Sequence, residues 1–345
     1  MADVLYDVIV IGAGPAGLAA AMFTARRGLK TAIVSKDLGG QLALTEWIEN
    51  YPGVDRLGGR ELCERFLAQV KRDGAEFRFG EAVAIEPSTP GVSQISNLKS
   101  PMKGWVVRTA EGEELTTRTV ILAFGLTPND LGCEGEGRLK GKGVYYSAVN
   151  DAPKQDGEIV AVVGGGNSAV TAVLELAPRA TKVLLIHRRA ELRAEKPLLE
   201  RLHQLTNVEI RTPFAVASLD GGDWVERMTL LPTDPTTGTP IIDNFQTPDS
   251  KFQIPVNSVF VQIGFSAKTK WLEGVVQLNE RREVVVDRDC RTSVPGIFAA
   301  GDLTDIAYKQ AAISTGEGVK AALQTFKYLQ GIAGRPAVMF DWDHS

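Results

Sequence analysis

The sequence predicts an α/β protein made of two Rossmann-like dinucleotide-binding units, each carrying a small β-meander insertion. Three observations carry that prediction. A buried-strand pattern runs into a glycine-rich turn and a helix near the N-terminus, and the same unit recurs in the second half of the chain. The 345 residues, 44% of them apolar, are enough for two cores.

Asp7-Val-Ile-Val-Ile-Gly12 is a continuous apolar run of the kind a parallel strand buried on both faces requires. It ends in Gly12-Ala-Gly14-Pro15-Ala16-Gly17, followed by an Ala-rich helix that stops at Gly28 and a second strand over Thr31 to Val34. Glu158 to Val163 repeats the pattern, leading into Gly164-Gly-Gly166-Asn167-Ser168-Ala169, a helix ended by Pro178, and a strand from Lys182 to Ile186. Residues 75–120, with the turn Glu111-Gly112, and residues 208–231 alternate polar and apolar, which marks antiparallel meanders. Residues 86–104, rich in Ser, Pro, Gly and Asn, read as a surface loop. Crossings are expected near Leu131 and Val256, so that residues 1–130 and 257–329 form one unit and residues 131–256 the other.

Lys and Arg total 38 against 42 Asp and Glu, a net charge of -4, which supplies no global cationic field for nucleic acid. The apolar stretch from Val8 to Phe23 is interrupted by Pro15 and three glycines and falls short of the ~20 residues a membrane span needs. It follows Asp3 and Asp7 and not a positive leader, so a cytoplasmic protein without a membrane span is expected. The three cysteines, Cys63, Cys133 and Cys290, share no short spacing, which excludes a disulfide framework, a zinc knuckle and a CxxC redox pair. No metal site is expected.

With 35 glycines in the chain, about a third of a GxGxxG frame arises by chance, so one match is weak and two in strand-to-helix context are strong. Glycine is needed because the pyrophosphate must reach main-chain N–H groups at a helix N-terminus, where the dipole favours an anion. The bland alternative is a tight turn with no ligand. After the first copy the ribose-binding acid expected about 20 residues on is not evident: Ser35 and Lys36 end the strand and Asp37 follows. After the second copy the same position carries His187-Arg188-Arg189, with Arg193 and Lys196 beyond. An NAD site places an acid here, whereas guanidinium groups suit the 2′-phosphate of NADP, so NADPH is the expected nicotinamide nucleotide. A solvated charged helix start is the alternative, and His187 alone is more often structural.

Together these motifs resemble the small two-domain flavoproteins typified by bacterial thioredoxin reductase, over residues 5 to about 329. The resemblance rests on Gly12 to Gly17, Gly39-Gly40-Gln41-Leu42, Glu49-Asn50-Tyr51-Pro52-Gly53, Gly164 to Val170, His187 to Arg189, and Ser293-Val-Pro-Gly-Ile-Phe-Ala-Ala-Gly301-Asp302. It implies FAD in the first unit and NADPH in the second. By resemblance, Asp302 binds the FAD ribitol, Gln41 and Asn50 line the flavin, and Gln310-Ala311 opens a helix facing its pyrimidine edge. The same likeness assigns Gly12, Gly14, Pro15, Ala16, Gly17, Gly40, Leu42, Gly125 and Gly301 to FAD. It assigns Gly164, Gly166, Asn167, Ser168, Ala169, His187, Arg188, Arg189, Arg193 and Gly264 to NADPH. For Asp302 alone, a turn or N-cap aspartate is the competing reading.

The chain departs from that family in two places. Its thioredoxin reductases carry Cys-x-x-Cys shortly before the second fingerprint; here the stretch is Gly143-Val-Tyr-Tyr-Ser147-Ala-Val-Asn150-Asp151, with Ser147 and Asn150 at the two cysteine positions. Neither thiolate attack nor disulfide formation is possible there. Cys133 and Cys290 read as small buried hydrophobes. The second departure is a tail, residues 330–345, ending in His344-Ser345, as in the ferredoxin or flavodoxin NADP reductases of the thioredoxin-reductase type. The likeness offers His344, Trp342 or Phe340 as a ring covering the flavin, in cis or on the partner subunit, and Tyr51 as a candidate for the opposite face. Packing of the tail on its own surface, and of Tyr51 in a core, are the alternatives.

The expectation is therefore a homodimeric FAD enzyme passing electrons between NADPH and ferredoxin or flavodoxin. An NADPH oxidase or quinone diaphorase, an atypical disulfide reductase and a flavin-based redox sensor are the competing readings. Ferredoxins and flavodoxins are acidic, as is this chain, so docking requires a local basic patch.

Overall fold

The computed structural model describes residues 4–45, 47–88, 104–148, 155–241 and 252–336. Most of the expected 86–104 loop, Asn150, and the tail from residue 337, with Phe340, Trp342 and His344, lie outside the described residues. The chain divides into two compact units, Met1–Thr127 with Ser266–Ser345, and Pro128–Phe265.

The first unit begins with β1 (Leu5–Ile11), α1 (Pro15–Arg26) and β2 (Thr31–Ser35). The side chains of β2 are buried throughout, as a two-sided apolar strand demands. An amphipathic helix, α2 (Gly59–Arg72), then leads to β3 (Glu76–Phe79), and β4 (Ala82–Pro87), β5 (Trp105–Thr109) and β6 (Glu114–Leu122) follow. Their order in the sheet is β3-β2-β1-β6-β5-β4. The strand β3 pairs parallel with β2, so the meander predicted from residue 75 begins only at β4. On one edge β6 changes partner: Glu114–Thr117 pair antiparallel with β5, whereas Val120–Leu122 pair parallel with β17 (Ile297–Ala299). That edge admits the returning chain beside the nucleotide turn, and a helix over Ala311–Ile332, here α6, packs back on α1. A Cβ at Gly318 would overlap the Ala16 carbonyl oxygen, so only glycine lets α6 lie this close to the first turn of α1.

The second unit contributes β8 (Val144–Tyr145), β9 (Ile159–Val163), β10 (Lys182–Ile186), β11 (Val208–Arg211) and β15 (Ser258–Val261). They form a five-stranded parallel sheet in the order β11-β10-β9-β15-β8. Among the described residues its helices are α3 (Glu136–Leu139), α4 (Asn167–Leu176) and α5 (Lys196–Leu202). A three-stranded antiparallel sheet, β12 (Phe214–Asp220), β13 (Arg227–Pro232) and β14 (Gln253–Pro255), is its insertion.

The chain crosses at two short strands, β7 (Thr127–Pro128) and β16 (Phe265–Ser266). The return lies later than the Val256 expected from the sequence. The reason is β15, which that boundary assigns to the first unit: Ser258–Val261 pair in parallel with Val160–Val163 of β9 and belong to the second core.

Candidate functional site

In the first unit the turn after β1 is held by backbone. The Gly12 N–H donates to the Val34 carbonyl at 2.8 Å, and a Cβ on Gly12, at φ +105, would stand 2.5 Å from the Ala123 carbonyl oxygen. Gly17 lies so close to Gly12 that a Cβ there would overlap the Gly12 oxygen. By contrast, the nearest atom to a Cβ on Gly14 is the Gly39 oxygen, 4.0 Å away. Gly14 caps α1 and Pro15 opens it, and no side chain caps that end. The outer glycines therefore close the turn and the central one leaves room in front of a bare helix terminus, which is the shape a pyrophosphate needs.

Two further segments carrying FAD-assigned residues, at Gly39 and at Gly301, reach this turn. The Gly39 N–H donates to the Ala13 oxygen at 2.8 Å, which brings in Gly40, Gln41 and Leu42. Gln41 donates from Nε2 to the Leu126 oxygen at 2.8 Å, beside Gly125. A Cβ on Gly301 would meet the Ala16 Cβ at 2.8 Å, so Asp302 lies by the first turn of α1, where its Oδ1 accepts from the Ser314 hydroxyl at 2.8 Å. Asn50 Nδ2 donates to Oε1 of Gln310 at 3.3 Å, and Gln310 caps α6, which begins at Ala311 without a side-chain cap. Tyr51 packs edge-on to Phe66 at 5.9 Å in a small cluster with Leu42 and Val54. Ser35 accepts from the Ala13 N–H at 3.2 Å and donates to the Asp37 oxygen at 2.8 Å, while the Asp37 carboxylate accepts from Gly40 N–H at 3.1 Å. Asp37 is thus engaged by its own loop. The roles of Ser35 and Ser314 in this arrangement are not evident from the sequence, because an isolated serine carries no spacing signal.

The second unit repeats the turn with different packing. The Gly164 N–H donates to the Ile186 oxygen at 2.9 Å, and nothing lies within 4 Å of a Cβ on Gly166, which caps α4 with no side-chain cap. Ala169 is buried beneath Gly164, in the place of the third glycine. Asn167 is locked to Glu195 by two bonds of 2.9 and 2.8 Å; Ser168 is exposed and free of that lock. Gly264, at φ +93, accepts from the Asn129 N–H at 2.9 Å.

The basic cluster is not uniform. Arg188 and Arg193 differ from Arg189, which is half-buried with its Nε unpartnered; none of the three is ion-paired to an acid among the described residues. His187, counted with them by residue type, is buried, with Nε2 also unpartnered. Burial first, then the charges of Arg193, Arg189 and Arg188, pushes its pKa down, so it is a neutral ring at pH 7 and not a phosphate-binding cation. Arg188, Arg189 and Arg193, with Lys196 at the start of α5, supply the positive charge.

The three cysteines are free. Cys63 and Cys290 are fully buried and Cys133 is half-buried, and desolvation pushes each thiol up to about 12. Ser147 is half-buried. Among the described residues no group of His, Cys, Asp and Glu is placed to hold a metal, and no helix is long and apolar enough to cross a membrane.

Two α/β units, each with a helix N-terminus left bare behind a glycine turn, define a class of proteins built on paired dinucleotide-binding folds. The chain belongs to the pyridine nucleotide-disulphide oxidoreductase family, whose profile matches residues 6–318. It is 36% identical over 327 residues to an alkyl hydroperoxide reductase component of Pseudomonas putida, covering 94% of this chain and 58% of that one. The chain thus spans less than two thirds of such relatives. Among solved structures it is similar to the Lactococcus lactis thioredoxin reductase (FR conformation), with TM-score 0.74 and 27% identity over 94% of this chain and 99% of that one. The T. acidophilum thioredoxin reductase matches with TM-score 0.71 and 30% identity, over 95% and 99%. The fold is therefore thioredoxin-reductase-like.

Proposed function

We propose that this oxidoreductase holds FAD in its first unit and NADPH in its second, and passes electrons between NADPH and a one-electron carrier, ferredoxin or flavodoxin, directly from the flavin. The observation that carries the proposal is the missing relay: Ser147 and Asn150 stand where the family has two cysteines, and all three thiols of the chain are held protonated. Bound FAD supplies the exchange between two-electron and one-electron chemistry, without a protein acid or base. The chain's residues do the holding. The bare N-termini of α1 and α4 face the two pyrophosphates, Asp302 offers its second carboxylate oxygen to a ribitol hydroxyl, and Arg188, Arg189 and Arg193 receive a 2′-phosphate. The N-terminus of α6 places a positive partial charge toward the flavin.

The reading includes a cytoplasmic homodimer and a tail that covers the flavin with His344, Trp342 or Phe340. Anaerobic NADPH is expected to bleach the flavin, and cytochrome c reduction is expected to depend on added ferredoxin or flavodoxin. Equal rates without the carrier favour a diaphorase or oxidase, and a flavin that stays oxidised excludes every NADPH-driven reading. Loss of activity in Cys133→Ser or Cys290→Ser would identify a disulfide reductase. Deletion of residues 337–345 is expected to change the flavin spectrum.

A further inference from the structure

The insertion of the second unit ends one of its hairpins in a turn, Thr233-Asp-Pro-Thr-Thr-Gly238, that grips the basic segment from the side. Buried Thr233 donates its hydroxyl to the Arg188 carbonyl at 2.6 Å, and the Ala190 N–H donates to the Pro235 oxygen at 2.9 Å. On the other flank the Phe214 N–H donates to the His187 oxygen at 3.0 Å. The backbone on both sides of Arg188 is therefore fixed by the insertion.

Its side chain is guided as well. Gly238 has φ +75, and a Cβ there would stand 2.8 Å from Cγ, 2.9 Å from Cδ and 3.2 Å from Nε of Arg188. The guanidinium stem runs across the face that the glycine leaves bare. The turn keeps that shape through Asp234, whose Oδ1 accepts from the Thr237 N–H at 2.7 Å, the Thr236 N–H at 3.0 Å and the Thr237 hydroxyl at 3.0 Å. Those bonds, the Thr237 N–H first, hold its carboxyl below the usual range.

We infer that the Thr233–Gly238 turn is a positioning element that fixes Arg188 and so sets the discrimination between phosphorylated and unphosphorylated nicotinamide nucleotides. The inference rests on the reading that the second unit holds NADPH. A guanidinium whose path is fixed in advance loses less freedom on meeting a phosphate, and that gain applies only to a ligand carrying the phosphate.

The test is binding, measured on the FAD-loaded protein by calorimetry with NADPH, NADH and 2′,5′-ADP. Gly238→Ala is expected to weaken NADPH and 2′,5′-ADP about tenfold, the lower end for a lost charged hydrogen bond, and to leave NADH within about twofold. Thr233→Val, which keeps the shape and removes the hydroxyl, is expected to act in the same direction and serves if Gly238→Ala folds poorly. In an Arg188→Ala background, Gly238→Ala is expected to add nothing. If Arg188→Ala is selective for the phosphorylated ligands but neither turn variant is, the positioning role is overturned and the NADPH reading stands. If Arg188→Ala is itself unselective, both are overturned.

Discussion

The imidazole of His187 fills the space that a side chain at residue 165 would need: its Cε1 and Cγ lie 2.5 and 2.6 Å from where a Cβ on Gly165 would stand. The two nucleotide turns are equivalent at this point. Gly12 N–H bonds the Val34 oxygen and Gly164 N–H bonds the Ile186 oxygen, so Ser35 and His187 are the next residues of matching strands. In the first turn a small serine accepts from the Ala13 N–H, and Ala13 keeps its methyl; in the second a ring replaces the hydroxyl, and residue 165 is glycine.

Gly165→Ala is therefore expected to abolish most nicotinamide nucleotide binding while FAD stays bound in the other unit. Overpacking of this kind costs about 1–3 kcal/mol, or roughly five- to 150-fold in affinity if it falls on the binding turn. The double variant Gly165→Ala with His187→Ser, which copies the first turn, is expected to recover binding. Titration with NADPH and flavin absorbance of the same samples provide the check; no recovery in the double variant would show that the clash is not with the ring.

The buried ring also sets an acid limit. Its pKa is lowered in the fold below the ordinary 6.5, so the unfolded chain takes up a proton first as pH falls. Stability is present above pH 6.5 and is lost progressively below it. Thermal unfolding between pH 7 and pH 5 is expected to show a smaller decline in His187→Gln than in the unaltered chain.

Much of this arrangement is legible in the sequence, because parallel strands buried on two faces write continuous apolar runs and close backbone approach demands glycine. Val8–Ile11 and Val160–Val163 need no structure to be read as strands. Ser258–Val261 does, since a four-residue run does not say which sheet it joins; pairing with β9 decides that and moves the domain boundary. His187 misleads for a related reason: residue type suggests charge, and only tertiary contact with Gly165 reveals the burial that removes it. The grip of Thr233–Gly238 on Arg188 joins segments 45 residues apart and leaves no periodic trace.

The thiols set an alkaline limit. Each is raised in the fold from 9.0 to about 12, so the unfolded chain ionises first. Their contribution is complete below pH 9 and is lost as pH rises toward about 12. Native protein is expected to react slowly with a thiol-specific disulfide reagent at pH 8 and rapidly once unfolded. Fast reaction of a native thiol would count against the exclusion of a relay.

Packing of α6 on α1 links the C-terminal helix to the first nucleotide turn. Gly318→Ala places a methyl on the Ala16 oxygen and is expected to cost about 1–3 kcal/mol, seen as a lower thermal midpoint. Because Ala16 belongs to the turn, FAD is expected to dissociate before the protein unfolds. Simultaneous loss of flavin and fold would place the effect in the core and not in the turn.

Asp302 and Ser314 separate a ligand-binding carboxylate from a turn aspartate. The Ser314 hydroxyl occupies one carboxylate oxygen, and the second has no protein partner among the described residues. If that oxygen receives a ribitol hydroxyl, Asp302→Ala removes a charged hydrogen bond and is expected to weaken FAD by about 1.5–3 kcal/mol, or roughly ten- to 150-fold. Ser314→Ala leaves the charge and removes only its orientation, for which about 0.5–1.5 kcal/mol is expected. Fluorescence titration of the apoprotein with FAD gives both constants. A turn role predicts the opposite order of symptoms, with the thermal midpoint of the apoprotein falling in Asp302→Ala and its FAD affinity unmoved, because a turn acts on the fold whether or not flavin is present.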